Sequence, residues 1–205
     1  MALFITFEGG EGSGKTLQAR ALYRRLSQLA IPVIMIHEPG STSLGKKLAR
    51  LLKWAERADI SPLTELLMFS ASRTQLMAEV ILPDLRNGKI VICDRYADST
   101  MAYQSYGRGL DLEMVRTINQ VAIQRLKPDL TVLLDISIEE GFARKRGSRR
   151  DRFEQEDVPF HQRVRQGYLE LSADDPQRWL VIDASQSKEK IKQIIWHRVS
   201  QLLSG

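Results

Sequence analysis

Cysteine is nearly absent from this chain: Cys93 is the only one in 205 residues, so no internal disulfide can form. Sitting inside the apolar run 90–93, it reads as a buried core thiol in a reducing compartment. No apolar run reaches the ~18 residues of a membrane span. No basic stretch precedes the first apolar segment, so neither a signal peptide nor a membrane partner is expected, and a cytoplasmic location is. Repeats, low-complexity tracts and long linkers are also lacking. The expectation is a single domain over 1–205, with 43% hydrophobic residues to fill its core. Charge is not short: 27% of residues are charged, and the net +5 suits anionic ligands.

What the chain does contain is Gly9, Gly10, Glu11, Gly12, Ser13, Gly14, Lys15 and Thr16 in succession, which fills every fixed position of G-x-x-x-x-G-K-[ST]. An apolar run at 2–7 precedes it and a helical pattern from Thr16 onward follows. Strand, glycine loop and helix start together surround an anion with backbone N–H groups and a helix dipole. Lys15 adds a point charge for the outer phosphates and Thr16 a hydroxyl for Mg²⁺.

Five short β-branched apolar runs, at 2–7, 33–37, 90–93, 130–134 and 179–182, alternate with helical patterns. The helices are expected near 15–29, 44–55, 62–87, 111–126, 139–150, 157–172 and 187–203. Strands apolar on both sides imply an α/β, P-loop NTPase-like three-layer fold, a five-stranded parallel sheet with helices on both faces. Ligands in such sheets lie beyond the strand carboxyl ends. That makes Glu8, Glu38, Asp94, Arg95, Asp135 and Asp183 candidate site residues.

Glu11 is an acid inside a cradle for polyanions. Either its carboxylate turns toward a second ligand, such as a sugar hydroxyl, or it faces solvent. Asp94 stands where such proteins hold the magnesium shell, and Arg95 can clamp an acceptor phosphate; the alternative is a structural ion pair. Phe69 and Arg73, four apart on one helix face, make a base-reading platform or simply a core ring beside a surface arginine. Between Gly10 and Ser13 the loop has no basic residue. The cluster Arg144, Lys145, Arg146, Arg149, Arg150 and Arg152 can supply that charge from a lid at about 144–156, hinged at Gly147 and Ser148. A nucleic-acid patch or a solvated face are the alternatives, but apart from Phe153 no aromatic interleaves the cluster.

Taken together, these segments resemble the thymidylate kinase family over nearly the whole chain. The resemblance rests on Phe7-Glu8-Gly9, Glu38-Pro39-Gly40-Ser41-Thr42, Leu66-Leu67-Met68-Phe69 with Arg73, and Asp94-Arg95-Tyr96. It continues through Ser99-Thr100-Met101-Ala102-Tyr103-Gln104, Pro128-Asp129-Leu130 and Asp151-Arg152-Phe153-Glu154. It implies in-line phosphoryl transfer from ATP·Mg²⁺ to dTMP, with Gly9 to Thr16 on the ATP phosphates. Lys15, Asp94, Arg95 and the lid residues Arg146, Arg149 and Arg152 would be catalytic, and Thr16 and Asp94 would serve the metal. Glu11 would meet the 3′-hydroxyl, Phe69 would stack on thymine and Arg73 would bond a base carbonyl. Arg95 would grip the dTMP phosphate and Tyr103 would crowd a 2′-hydroxyl, with Glu38, Pro39, Thr100 and Gln104 lining the acceptor side. The family implies a homodimer with small-molecule nucleotides as partners and no nucleic acid. Alternatives are a P-loop kinase for another nucleoside monophosphate and a nucleic-acid-linked NTPase. Two departures touch the acceptor-side loop: His37 where the family often has Arg, and Ser41 for a common Gly.

Overall fold

The apolar runs form one sheet. In the computed structural model, which describes residues 2–54, 60–147 and 150–204, strand β1 (Leu3–Glu8) lies at its centre and is buried along its length. It is flanked by β3 (Ile90–Asp94) and β4 (Leu130–Asp135), with β2 (Val33–His37) and β5 (Trp179–Asp183) outside them. The order is β2-β3-β1-β4-β5 and every pairing is parallel. Successive side chains alternate faces. Leu3, Ile5 and Phe7 pack with α1 (Lys15–Gln28) and α9 (Lys188–Ser204). Phe4, Val91 and Cys93 face the opposite way, against Leu76, Met77 and Ile81 of a long helical run. Burying each such side chain is worth ~1.5–3 kcal/mol. The Cys93 thiol is fully buried, which pushes its pKa up, as a core role requires.

The long run expected at 62–87 is α3 (Pro62–Leu76), a π-helical turn Met77–Ile81, and α4 (Leu82–Arg86). Ser61 caps it by accepting from the Thr64 N–H at 3.2 Å. Pro83 explains the π turn, since a proline inside a helix removes a donor and crowds the carbonyl four residues back. Three segments depart from the sequence reading. Helix α6 (Leu112–Ala122) stops short of 126, because Gln124 and Arg125 take left-handed φ values of 50° and 62°. Helix α7 (Ile138–Arg144) stops short of 150, with Gly147 at φ 84°. An unexpected helix α5 (Ala97–Thr100) continues as a second π segment, Met101–Gly107. Its polar residues mask the periodicity of a buried helix. Helices α2 (Ser43–Trp54) and α8 (Val158–Asp174) complete the described elements.

The phosphate loop is held against α7 glycine to glycine. A Cβ on Gly141 would lie 2.3 Å from the Glu11 carbonyl oxygen, and one on Gly12, at φ +71°, 2.0 Å from the Gly141 oxygen. Helix propensity alone favours Gly141→Ala by ~1 kcal/mol. The backbone contact reverses the sign, to an expected loss of ~1–3 kcal/mol. Thermal melts should show a lower Tm for Gly141→Ala; an equal or higher Tm rules out this constraint on the loop.

Candidate active site

The site assembles where the sheet's carboxyl ends meet the loop. Gly14 enters α1 in a left-handed conformation (φ 92°) with no side-chain cap, so the first-turn N–H groups stay turned to the loop. Lys15 lies back along the loop and donates to the Gly10 carbonyl at 2.6 Å and Ser13 Oγ at 3.3 Å. Burial, reinforced by Arg95, pulls its pKa down to about 8 against the pull of Glu11, Asp94 and Glu8. The Thr16 hydroxyl donates to Asp94 Oδ2 across the end of β3. This pair of hard oxygen donors suits Mg²⁺, which keeps much of its water and takes few protein ligands. Among the described residues no cluster of three or more His, Cys, Asp or Glu side chains forms a dedicated metal cage.

The Glu11 carboxylate is held by side chains rather than left to solvent. Its Oε1 accepts from Arg95 Nη2 at 2.6 Å and from the Tyr103 hydroxyl at 3.0 Å, and its Oε2 from Lys145 at 3.1 Å. Burial works to raise its carboxyl pKa, but Arg95, Lys15 and Lys145 together hold it well below the usual range. Arg95 sits at φ 70°, a left-handed backbone that is rare for a bulky residue. Its Nη1 also donates to the Gly9 carbonyl, Ser99 Oγ and Tyr168 Oη at 3.1–3.2 Å. Behind it, the buried Glu8 carboxylate accepts from the Tyr96 N–H at 2.7 Å, the Ser99 hydroxyl at 2.6 Å and the Tyr168 hydroxyl at 3.0 Å. Burial and the Asp98 charge push Glu8 up to about 7, against Ser99 and Arg95.

Beside Arg95 opens a cleft, which Glu11, Glu38, Pro39, Phe69, Arg73, Arg95, Thr100, Tyr103, Gln104 and Phe153 help to line. The Phe69 and Phe153 rings lie 5.6 Å apart at its side. Arg73 is not a surface arginine but is almost fully buried. It donates to Glu38 Oε2 at 2.8 Å, Asn119 Oδ1 at 2.7 Å, the Tyr96 carbonyl at 3.3 Å and Thr100 Oγ1 at 2.8 Å. A second, larger cleft runs over Gly12, Gly14, Lys15 and Thr16 to Arg144 and Lys145. The two departures at the β2 end satisfy one another: the Ser41 hydroxyl accepts from the His37 N–H and donates to the His37 carbonyl, both at 2.8 Å. Partial burial lowers the His37 pKa, against the charge of Asp94.

The acceptor-side residues named from sequence thus converge on one cleft; the lid arginines do not share one place. Arg146 is exposed. Arg149 lies outside the described residues. Arg152 donates to the Leu52 carbonyl at 3.0 Å and to Glu65 Oε2, and its described bonds reach no phosphate-loop residue. Among the described lid residues, Lys145 bonds the loop through Glu11, and it also bonds Glu154. Sequence reasoning passed over Lys145 as one more basic residue. It also missed Glu65, Asn119 and Tyr168, whose helical positions carry no local signal. Glu154 did carry one, inside Asp151-Arg152-Phe153-Glu154.

A family model described as Thymidylate kinase matches residues 7–195. Among curated proteins, a thymidylate kinase of Dehalococcoides mccartyi is 52% identical over 203 residues, covering 99% of this chain and 98% of its own. One of Pelobacter propionicus is 46% identical over 208 residues, covering 98% and 95%. Among solved structures, the thymidylate kinase of Ehrlichia chaffeensis superposes with a TM-score of 0.75 at 36% identity, covering 88% of this chain and 92% of that one.

Lys15 generates a test of the loop's electrostatics. With its pKa held to about 8, it loses much of its charge above that pH. A polyphosphate beside it favours the charged form and raises the pKa back toward ~10. Between these limits the complex holds more protons than the free protein, so affinity falls as pH rises through the lower one. Titration calorimetry with ADP at pH ~8.5, in two buffers of different ionisation enthalpy, should show uptake of roughly two-thirds of a proton. The uptake should vanish in Lys15→Met; heats independent of buffer in the wild type would contradict the lowered pKa.

Proposed function

This chain belongs to the thymidylate kinase family, and on that premise we propose how its residues phosphorylate dTMP to dTDP with ATP as donor. The carrying observation is that Glu11, an acid within the phosphate loop, is bonded to Arg95 and Tyr103 of the neighbouring cleft. A loop that served one nucleotide alone has no use for that acid; a loop shared between donor and acceptor does.

On this reading residues 9–16 hold the ATP phosphates and Arg95 grips the dTMP phosphate. Thr16 and Asp94 would hold Mg²⁺, which supplies positive charge to the donor phosphates. The acceptor phosphate is already anionic at neutral pH, so no general base is needed. Catalysis reduces to in-line positioning and charge neutralisation by Lys15, Arg95 and lid cations. The lid at about 144–156 contributes Arg146 and Arg149 to the transferring group, while the bonds of Arg152 support a role in fixing the lid's base. Closing the lid keeps water from the phosphoryl group.

In the cleft, Phe69 stacks on thymine. The bonds of Arg73 to Glu38, Asn119, Tyr96 and Thr100 use four of its five N–H groups, leaving one at Nη1 for a base carbonyl. Glu11 receives the 3′-hydroxyl, and Tyr103 fills the space a 2′-hydroxyl needs. Exposed Leu44 and Leu51 on α2, Leu63 and Leu67 on α3, and Val121 on α6 support a homodimer through these helices. No described helix is long and apolar enough to cross a membrane. The location we assign is cytoplasmic, which the lone buried cysteine supports.

Loss of one such cation costs on the order of 10²–10³ in rate. Lys15→Ala should lose at least that much in kcat for dTMP; near-normal turnover would sink its assignment. A parallel assay with dTMP, dUMP, UMP, CMP and AMP, following ADP formation, should rank dTMP first. Preference for AMP or UMP would refute the acceptor. Tyr103→Ala should narrow the gap between deoxy- and ribonucleotides, read as the dUMP to UMP ratio of kcat/KM.

A further inference from the structure

Glu65 is a fully buried carboxylate on α3, outside every role assigned above. It gathers three side chains from two other parts of the chain. Its Oε1 accepts from Gln104 Nε2 at 2.7 Å and from Arg108 Nε at 3.2 Å. Its Oε2 accepts from Arg108 Nη2 at 3.2 Å and from Arg152 Nη2.

The chemistry of this cluster fixes the orientation of an amide. A carboxylate held between two guanidinium groups serves them as an acceptor. Gln104 therefore has to offer it the NH₂ end, because the opposite flip would set the amide oxygen against an anion at the same short range. The other end, Oε1, is left as an acceptor. Gln104 is buried, yet it lines the cleft between Phe69 and Tyr103. Thr100 beside it accepts from Arg73 Nη2 at 2.8 Å and keeps a proton to give. The cleft thus offers an acceptor and a donor side by side, the complement of a ring N–H next to a carbonyl.

We propose that Glu65 is a positioning residue for base selection: by claiming the amide nitrogen of Gln104, it presents Oε1 to the base and makes the cleft select a pyrimidine that carries N–H at N3. Thymine and uracil match this pattern. Cytosine reverses it, with an acceptor at N3 and an amino group at C4, and would leave Gln104 Oε1 facing a second acceptor. Sites that hydrogen-bond a substrate group reject analogues lacking it far more strongly than apolar pockets reject shape variants. The inference rests on reading this cleft as the dTMP site.

The test is the ratio of kcat/KM for dTMP over dCMP in the full-length protein, with ATP saturating. Glu65→Gln gives Gln104 a partner that can donate or accept, so either amide flip is satisfied. Glu65→Asp keeps the charge for Arg108 and Arg152 but falls short of Gln104. Both should lower the ratio by ~10–100-fold, chiefly through KM. Equal losses for dTMP and dCMP, with the ratio within threefold of wild type, would reduce Glu65 to a structural residue and overturn the inference. Circular dichroism melts check folding. If neither variant folds, Gln104→Leu, which leaves Glu65 on its two arginines, decides in the same way: an unchanged ratio overturns the proposal. A wild-type protein that does not phosphorylate dTMP would instead overturn the reading of the cleft, while one that turns over dTMP and dCMP alike overturns only the selection argued here.

Discussion

The contact between Glu11 and Arg95, at 2.6 Å, joins two structures that chain topology would otherwise leave separate: the loop after β1 and the turn after β3. It holds against an opposing cost. A non-glycine residue in left-handed backbone costs on the order of 1–3 kcal/mol, and Arg95 persists there because its surroundings over-determine it. Its own N–H is tied to the Phe7 carbonyl at 3.0 Å, fixing the backbone to β1. Its guanidinium is spread over Gly9, Glu11, Ser99, Tyr103 and Tyr168. Glu8 anchors the hydroxyls of Ser99 and Tyr168 from behind. A partly buried ion pair of this kind contributes little net stability. What it provides is geometry, since neither the loop nor the cleft can shift without breaking bonds in the other.

The same network shows why parts of the molecule are legible in sequence and others are not. The sheet announces itself because parallel strands covered on both faces must be continuously apolar, and runs such as 2–7 and 130–134 have no other soluble use. The phosphate loop announces itself because only glycines permit its backbone. The segment 97–107 does neither. Its side chains serve Glu8, Glu11, Arg95 and Glu65, so a site-lining helix carries the polar residues that ordinarily mark a loop. Arg73 misleads in the converse sense, since an arginine on a helix reads as surface until Glu38 and Asn119 arrive from elements 35 and 46 residues away to bury it. Interactions at such separations leave no local periodicity. The resemblance located these residues, but the identity of their partners came only with the fold.

Charge follows one further rule across the site. The described cations nearest the acceptor cleft are matched to acids: Arg73 to Glu38, Arg95 and Lys145 to Glu11, Arg108 and Arg152 to Glu65. Unpaired guanidinium groups packed this closely would repel one another and bear a desolvation cost of several kcal/mol each. Pairing removes that cost and also fixes where every donor points, which a point charge in solvent would not. On the proposed roles, a phosphate that reaches Arg95 exchanges one oxyanion partner for another, and Glu11, released on that side, accepts from a sugar hydroxyl. The site therefore needs no large rearrangement of charge to take its acceptor. Lys15 is the exception. Its described hydrogen bonds go to a carbonyl and a hydroxyl rather than to a carboxylate, burial and Arg95 lower its pKa, and an incoming phosphate offers it an anion at contact. A buried lysine with no carboxylate among its described hydrogen bonds gains most from a group that accumulates negative charge, and in phosphoryl transfer that group is the one being moved.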